Sequence, residues 1–322
     1  MFKRALMVAA VAAAVSAPTF AEVSISGSAE MGFMVVDPKN GDATQEFDRA
    51  FLLNFDGSDK LDSGSKFIWR VSQKVTSIEG TNWGTREAYA GLTGDWGTFK
   101  YGKQFLNSYL TLDWPYGING NWQLAERTWG PAGHAGKLTA LIYGNTSVNY
   151  TSPDFGGFSF GVQHGWDVNK ATQTGKVGDS NVTDLSANFS FGGVNLNAGY
   201  LFGNDVTAKG SKENQYFIGA NTSFGDLGVR AVYNAQSTKS AKGVTKDSHD
   251  WLLGANYSLG KGTIKASIHQ FDGDDFGSAG RISALAYHHG LSKNTEGYAR
   301  IQNRNKNAGD MNVFLVGMWH GF

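Results

Sequence analysis

The residues able to carry covalent or metal chemistry are few and poorly placed. The chain has seven histidines and no cysteine in 322 residues. His288 and His289 are neighbours in an alternating segment, so they point to opposite faces and cannot share a metal. The other histidines are scattered and leave no zinc-ligand spacing. No G-x-S-x-G nucleophile motif accompanies His164, His249 or His289. GTFKYGKQ (Gly97 to Gln104) comes close to a phosphate-binding loop. Gln104, however, stands where a magnesium-ligating Ser or Thr belongs, and the segment alternates like a strand. The expectation is therefore no enzyme, no metal and no cofactor. With 28 basic and 28 acidic residues and no basic run, nucleic acid is not an expected partner.

Physical chemistry remains available, and one segment concentrates it. Lys103 to about Lys137 carries Tyr109, Trp114, Tyr116, Trp122 and Trp129 and few charges. Such rings stack on the apolar faces of sugars, and they also fill space when a segment packs against a wall. Both readings stay open at this point.

The elements that must position these residues announce themselves by alternation, the mark of a strand with two unlike faces. Val23, Ile25, Ala29, Met31, Phe33 and Val35 alternate with Ser24, Ser26, Ser28 and Glu30. Phe67, Trp69 and Val71 oppose Lys66, Arg70, Ser72 and Lys74, which puts Arg70 and Lys74 on the polar face. Leu185, Ala187, Phe189 and Phe191 oppose Asp184, Ser186, Asn188 and Ser190. The pattern recurs to Phe314, Val316, Met318, His320 and Phe322. Gly192-Gly193, Gly225 to Gly228 and Gly260 to Gly262 read as tight hairpin turns. Asp167 to Ser180, Asn204 to Glu213, Gln236 to Asp247 and Asp272 to Gly280 read as longer polar loops. Short turns at one end and long loops at the other describe a membrane barrel, and the count of segments gives 16 strands. Phe33, Tyr200, Tyr216, Tyr233, Trp251 and Tyr257 sit toward strand ends, as interfacial girdles do.

The first 21 residues are read separately, as a signal peptide. Lys3 and Arg4 precede the apolar run Leu6 to Val15, and Pro18-Thr19-Phe20-Ala21 supplies a cleavage site after Ala21. The run is shorter than the roughly 20 residues a membrane-spanning helix needs. Residues 22–322 then form one barrel domain, with export implying the outer membrane of a Gram-negative cell.

Several blocks resemble the general (diffusion) porins of Gram-negative bacteria. TREAYAGLTGDWGTFKYGKQ (Thr85 to Gln104), GSDKLDSGSKFIW (Gly57 to Trp69) and TSVNYTSPDFGGFSFG (Thr146 to Gly161) carry the likeness. AEVSISGSAE near the start and VGMWHGF at the end extend it over the whole mature chain. The resemblance implies an all-β fold, a 16-stranded antiparallel transmembrane barrel with the third extracellular loop folded into the lumen. It implies a homotrimer in outer-membrane lipid and lipopolysaccharide, with Phe322 presented to the barrel-insertion machinery. It implies water-filled passage for small hydrophilic solutes and ions. Arg86 matches the arginine opening the fourth strand, and Tyr143 and Trp319 stand where the family pattern has arginines.

On that basis the polar face carries a basic wall of Arg70, Lys74, Arg86 and Arg230, with Lys100 and Lys265 beside them. Asp113 and Glu126 on the loop oppose it across the pore. A mild preference for neutral or sugar-like solutes is expected from the thinner basic cluster and the loop aromatics. A saccharide-selective pore is the alternative, and an adhesin or structural anchor is a third.

Overall fold

The structure, a computed structural model, describes residues 22–76, 86–116, 142–166, 168, 180–206, 208–274 and 279–322. Strands β1 (Glu22–Pro38), β2 (Thr44–Lys60), β3 (Lys66–Thr76), β4 (Glu87–Gly94) and β5 (Gly97–Phe105) lead into a helix, α1 (Asn107–Tyr116). Then follow β6 (Tyr143–Thr151), β7 (Phe158–Trp166), β8 (Asn181–Phe191), β9 (Val194–Asn204), β10 (Lys212–Phe224) and β11 (Leu227–Lys239). The chain finishes with β12 (Thr245–Leu259), β13 (Gly262–Gly273), β14 (Gly280–Ser292), β15 (Thr295–Arg304) and β16 (Met311–Gly321). Each strand pairs antiparallel with its sequence neighbours and β1 pairs with β16, so the sheet is a closed barrel. Closure leaves no unpaired edge, which a sheet in hydrocarbon cannot tolerate. The strand count matches the sequence expectation.

Local chemistry sets the short turns. Gly192 and Gly193 both take positive φ, at 56° and 83°, between the paired Phe191 and Val194. Two consecutive left-handed residues are the demand of a two-residue hairpin whose twist matches its strands. At the far end, β11 and β12 run further than the sequence suggested, leaving only residues 240–244 between them. Gln236 to Lys239, where composition reads as loop, stay paired with β10 on one side and β12 on the other.

Burial separates the two faces. Ile25, Met31, Phe51, Phe99, Leu196, Ile218, Leu253, Ile268, Leu285, Phe314 and Val316 are exposed on one parity and form the outer apolar band. Tyr200, Tyr216, Tyr233 and Tyr257 share that outer face. The opposite parity carries Gln163, Asp184, Asn197, Gln215, Asn234 and Asp250, all buried or nearly so. A lipid-facing band around a polar interior is the reverse of a soluble core, and a ring of 16 strands is wide enough to hold water.

The seam uses a missing side chain. Tyr298 on β15 reaches over β16 to donate its hydroxyl to Glu30 on β1 at 2.9 Å. It passes at Gly317, where a Cβ would lie 2.4 Å from the Tyr298 oxygen. One strand further along, Phe322 and Gly27 exchange backbone hydrogen bonds of 3.0 and 3.1 Å.

Candidate functional site

The lumen is built from inward side chains and one element laid against them. Helix α1 follows β5 and packs against β7, β8, β9 and β11. Sequence patterning did not foresee it, because its apolar and polar residues show almost no helical segregation and Pro115 sits in its last turn. Tertiary contacts supply what periodicity lacks. Leu112 and Tyr116 pack with inward-facing Phe217, Val232 and Leu252. Leu106 packs with Val168, Val182 and Leu201, with Tyr109 at the edge of that cluster.

Both ends of the helix are held by strand side chains. Helix N-termini expose unpaired N–H groups with partial positive charge, and C-termini the reverse. The Asn107 N–H donates to Gln163 Oε1 at 3.1 Å, and the Ser108 N–H donates to Asp184 Oδ2 at 2.8 Å. The Ser108 hydroxyl donates to the other Asp184 oxygen. At the C-terminal end, Arg230 Nη1 donates to the Pro115 carbonyl at 2.8 Å, and Nη2 donates to Asn256 Oδ1 at 2.7 Å. A carboxylate at the positive end and a guanidinium at the negative end both oppose detachment.

Tyr116 fixes the helix most deeply. It is fully buried, its hydroxyl donates to Asn197 Oδ1 at 2.7 Å, and its ring lies over Gly219. Burial pushes the phenol up to about 12, so it stays a neutral donor. The expectation of a solute-stacking role for Tyr116 is therefore corrected, since no face of its ring is open. Packing won because the wall beneath it, from Phe217 to Leu252, is apolar. Tyr109 is half-buried and stacks on Phe105, at 5.2 Å between centroids.

The predicted charges divide into different surroundings. Arg70 donates to both Asp56 oxygens, at 2.6 and 3.1 Å, and to Glu87 Oε2 at 3.3 Å. It is thus an ion-paired residue, where the sequence suggested an open cation. Lys100 lies over the Tyr89 ring at 4.8 Å, beside this pair. Lys74 is half-buried on β3. Arg86 comes just before β4, with its guanidinium 4.8 Å over Phe105. Phe105 in turn stacks on Tyr143, and Lys103 sits over Tyr143 at 5.0 Å. Tyr143, in the place of a family arginine, thus receives a cation. Trp319 joins Met34, Val313, Leu315 and Tyr298 in an inward apolar cluster. Asp113 and Trp114 belong to α1 by their backbone alone. Trp122, Glu126 and Trp129 lie outside the described residues, as do residues 1–21.

Sequence reasoning missed Asp184, Gln163 and Asn197 as helix anchors, and Asp56 and Glu87 as partners of Arg70. Alternation had placed Asp184 on the polar face, which was the available signal; its partner across the lumen had none. His288 faces inward and its Nδ1 lies 3.1 Å from Glu296 Oε1, which accepts the hydrogen bond, while His289 is exposed on the outer face. Gly97 to Gln104 lies in β5, as the alternation indicated.

Comparison with known proteins agrees with this architecture. The Gram-negative porin family profile matches residues 5–309. The chain is 28% identical over 270 residues to the major outer membrane protein P.IB of Neisseria sicca, covering 80% of this chain and 64% of that protein. It is 25% identical over 239 residues to a chitoporin of Vibrio furnissii, covering 65% of this chain and 60% of that protein. Matches thus span less than two thirds of the length of these curated relatives. Among solved structures, an anion-selective porin from Comamonas acidovorans superposes with a TM-score of 0.79 at 19% identity, over 94% of this chain and all of that one. That likeness speaks for the fold. A closed 16-stranded barrel with an apolar exterior, and a family match over nearly the whole sequence, make this chain a member of the Gram-negative porin family, an outer-membrane protein.

Proposed function

We propose that the barrel is a passive channel for small hydrophilic solutes and ions, without catalytic activity. The observation that carries this reading is the pairing of an outer apolar band with a polar inner face in one closed 16-stranded sheet. A polar solute cannot cross hydrocarbon, so a water-lined path whose width and charge are set by the wall is sufficient mechanism. Helix α1 narrows the path from the β7–β11 side. Arg70, Lys74, Arg86 and Arg230, with loop residues Asp113 and Glu126, shape the field there. The working form is a homotrimer in lipopolysaccharide-containing membrane, inserted through recognition of Phe322 after removal of residues 1–21. The direct test is conductance of the purified protein in planar bilayers: stable ohmic steps are expected, and an electrically silent barrel contradicts the reading.

A second reading is favoured by a specific observation, the aromatic segment together with similarity to a protein named chitoporin. In it Trp114, Trp122 and Trp129, with Tyr109, guide saccharides by stacking. Millimolar oligosaccharide should then interrupt the current, and Trp→Ala changes at these positions should relieve the block. Uninterrupted current in saturating sugar sinks this reading and leaves the first intact.

A further inference from the structure

We propose that the outer face of β15 seats one anionic phospholipid of the periplasmic leaflet. An acyl chain lies along a trough floored by Gly297 and Ala299, and the phosphate sits among His289, His320 and Lys293. The proposal goes beyond the channel reading and does not depend on it, since it concerns the face turned away from the lumen.

The strand register builds the trough. Outward positions on β15 run Ile301, Ala299, Gly297 and Thr295 toward the short turn before it, which marks the periplasmic end. One bank is β14, where Leu285, Tyr287 and His289 stand beside Ile301, Ala299 and Gly297. The other is β16, where Phe314, Val316, Met318 and His320 stand beside Ile301, Ala299, Gly297 and Thr295. Large side chains on both banks and small residues between them leave a hollow of about 660 Å³ around Ala299. A Cβ added at Gly297 would come no nearer than 3.8 Å to any atom beyond its chain neighbours, so no protein group fills the floor there. Thr295 to Ile301 spans about 20 Å along the strand. Barrel tilt reduces this to about 14 Å of depth, close to the ~15 Å of one leaflet's hydrocarbon.

The periplasmic mouth of the trough is polar and basic. Ser292 donates to Thr295 Oγ1 at 2.9 Å, so the Thr295 proton goes to His320 Nδ1, also at 2.9 Å. Tyr287 places its hydroxyl 3.1 Å from His289 Nδ1 in the same way. A ring that accepts at Nδ1 carries its proton on Nε2, and both rings are exposed, so each bank offers an N–H donor at the trough's end. Lys293 hangs from the turn between β14 and β15, and Lys261 from the neighbouring turn, where its carbonyl accepts from Gly290. Both lysines are exposed, and neither has an ion pair among the described residues. Glu296, the acid closest to Lys293 in sequence, faces inward to His288. Donors and cations at the end of an apolar trough match a phosphate at the end of an acyl chain. A second outer hollow, about 490 Å³ around Ala220 and Ala231, has Asp226 on the turn joining its two strands, an acid where the first has a lysine.

The test is native mass spectrometry of the purified, folded protein in detergent, with phosphatidylglycerol or phosphatidylcholine added. One retained phosphatidylglycerol per chain is expected, roughly fivefold or more above phosphatidylcholine. Gly297→Leu with Ala299→Phe fills the trough and should abolish retention of both lipids. Lys293→Gln, on an exposed turn where folding is not at stake, should lower phosphatidylglycerol retention roughly fivefold and leave phosphatidylcholine unchanged. Ala231→Phe, in the second hollow, should change neither. Equal retention of the two lipids by the wild type, or wild-type retention by the filled or the Lys293→Gln variant, would overturn the proposal. So would an equal loss from Ala231→Phe. Loss of the oligomer with lipid retention unchanged would also overturn it, by making this face a contact between copies of the chain.

Discussion

Asp184 on β8 accepts two hydrogen bonds from Ser108, one from the backbone N–H at 2.8 Å and one from the hydroxyl. The residues are 76 apart in sequence, and their contact fixes where α1 leaves the wall and enters the lumen. A capping carboxylate is ordinarily supplied by the helix's own flanking residue. Here the barrel wall supplies it, so wall and helix are joined at the point where the pore narrows.

Asp184→Ala removes that join and leaves the Ser108 donors unpaired in a buried place. Loss of a cap costs about 1–2 kcal/mol, and a buried unsatisfied group costs about 1–3 kcal/mol. The barrel itself has 16 paired strands and should persist. The expected outcome is a folded channel with larger or noisier single-channel current. Current indistinguishable from wild type would show that Asp184 does not hold the helix.

Gly219 and Tyr116 test the other end. A Cβ at position 219 would lie 2.3 Å from the Tyr116 hydroxyl oxygen, so Gly219→Ala must displace that ring. Tyr116→Phe removes only the hydrogen bond to Asn197, worth about 1 kcal/mol. Gly219→Ala should therefore disturb conductance more than Tyr116→Phe, although alanine is the smaller chemical change. The reverse order would place Tyr116 elsewhere than over Gly219.

Gly317 and Tyr298 test the seam. Gly317→Ala would set a methyl against the Tyr298 hydroxyl and against the Met31 carbonyl oxygen, 2.8 Å away. Strand β16 has no room to move, being paired on both sides. Thermal resistance of the folded barrel, read as the temperature at which its gel mobility changes, should fall markedly. Tyr298→Phe, which loses one hydrogen bond to a carboxylate, should lower it less.

Arg70 gives a prediction about partners more than about itself. Arg70→Met leaves Asp56 and Glu87 without their shared cation, which adds negative charge to that wall. Reversal potential in a salt gradient should move toward cation preference. Movement toward neither ion would mean that the two carboxylates lose their charge together with the arginine.

The barrel was legible in the sequence because strand alternation is local: Asp184 and Leu185 declare opposite faces without reference to any distant residue. The turns at Gly192-Gly193 were legible for the same reason, since positive φ is a property of the residues themselves. Helix α1 was not, because Leu112 and Tyr116 become helical by packing on Phe217, Val232 and Leu252, more than a hundred residues away. Charges were located on the right face at Arg70 and Arg230, yet their partners could not be read. Asp56, Glu87 and the Pro115 carbonyl meet them only once the sheet has closed. Stacking and packing stayed open for Tyr116 on the same ground, because ring chemistry is readable from sequence and the burial of a particular ring is not.

A water-filled barrel narrowed from one side by α1 is tested by single-channel conductance of the folded protein before and after α1 is released by Asp184→Ala combined with Arg230→Gln. Ohmic steps are expected for the wild type and larger, noisier steps for the double variant, with the barrel still folded. No conductance in either protein, or the same conductance in both, would contradict it.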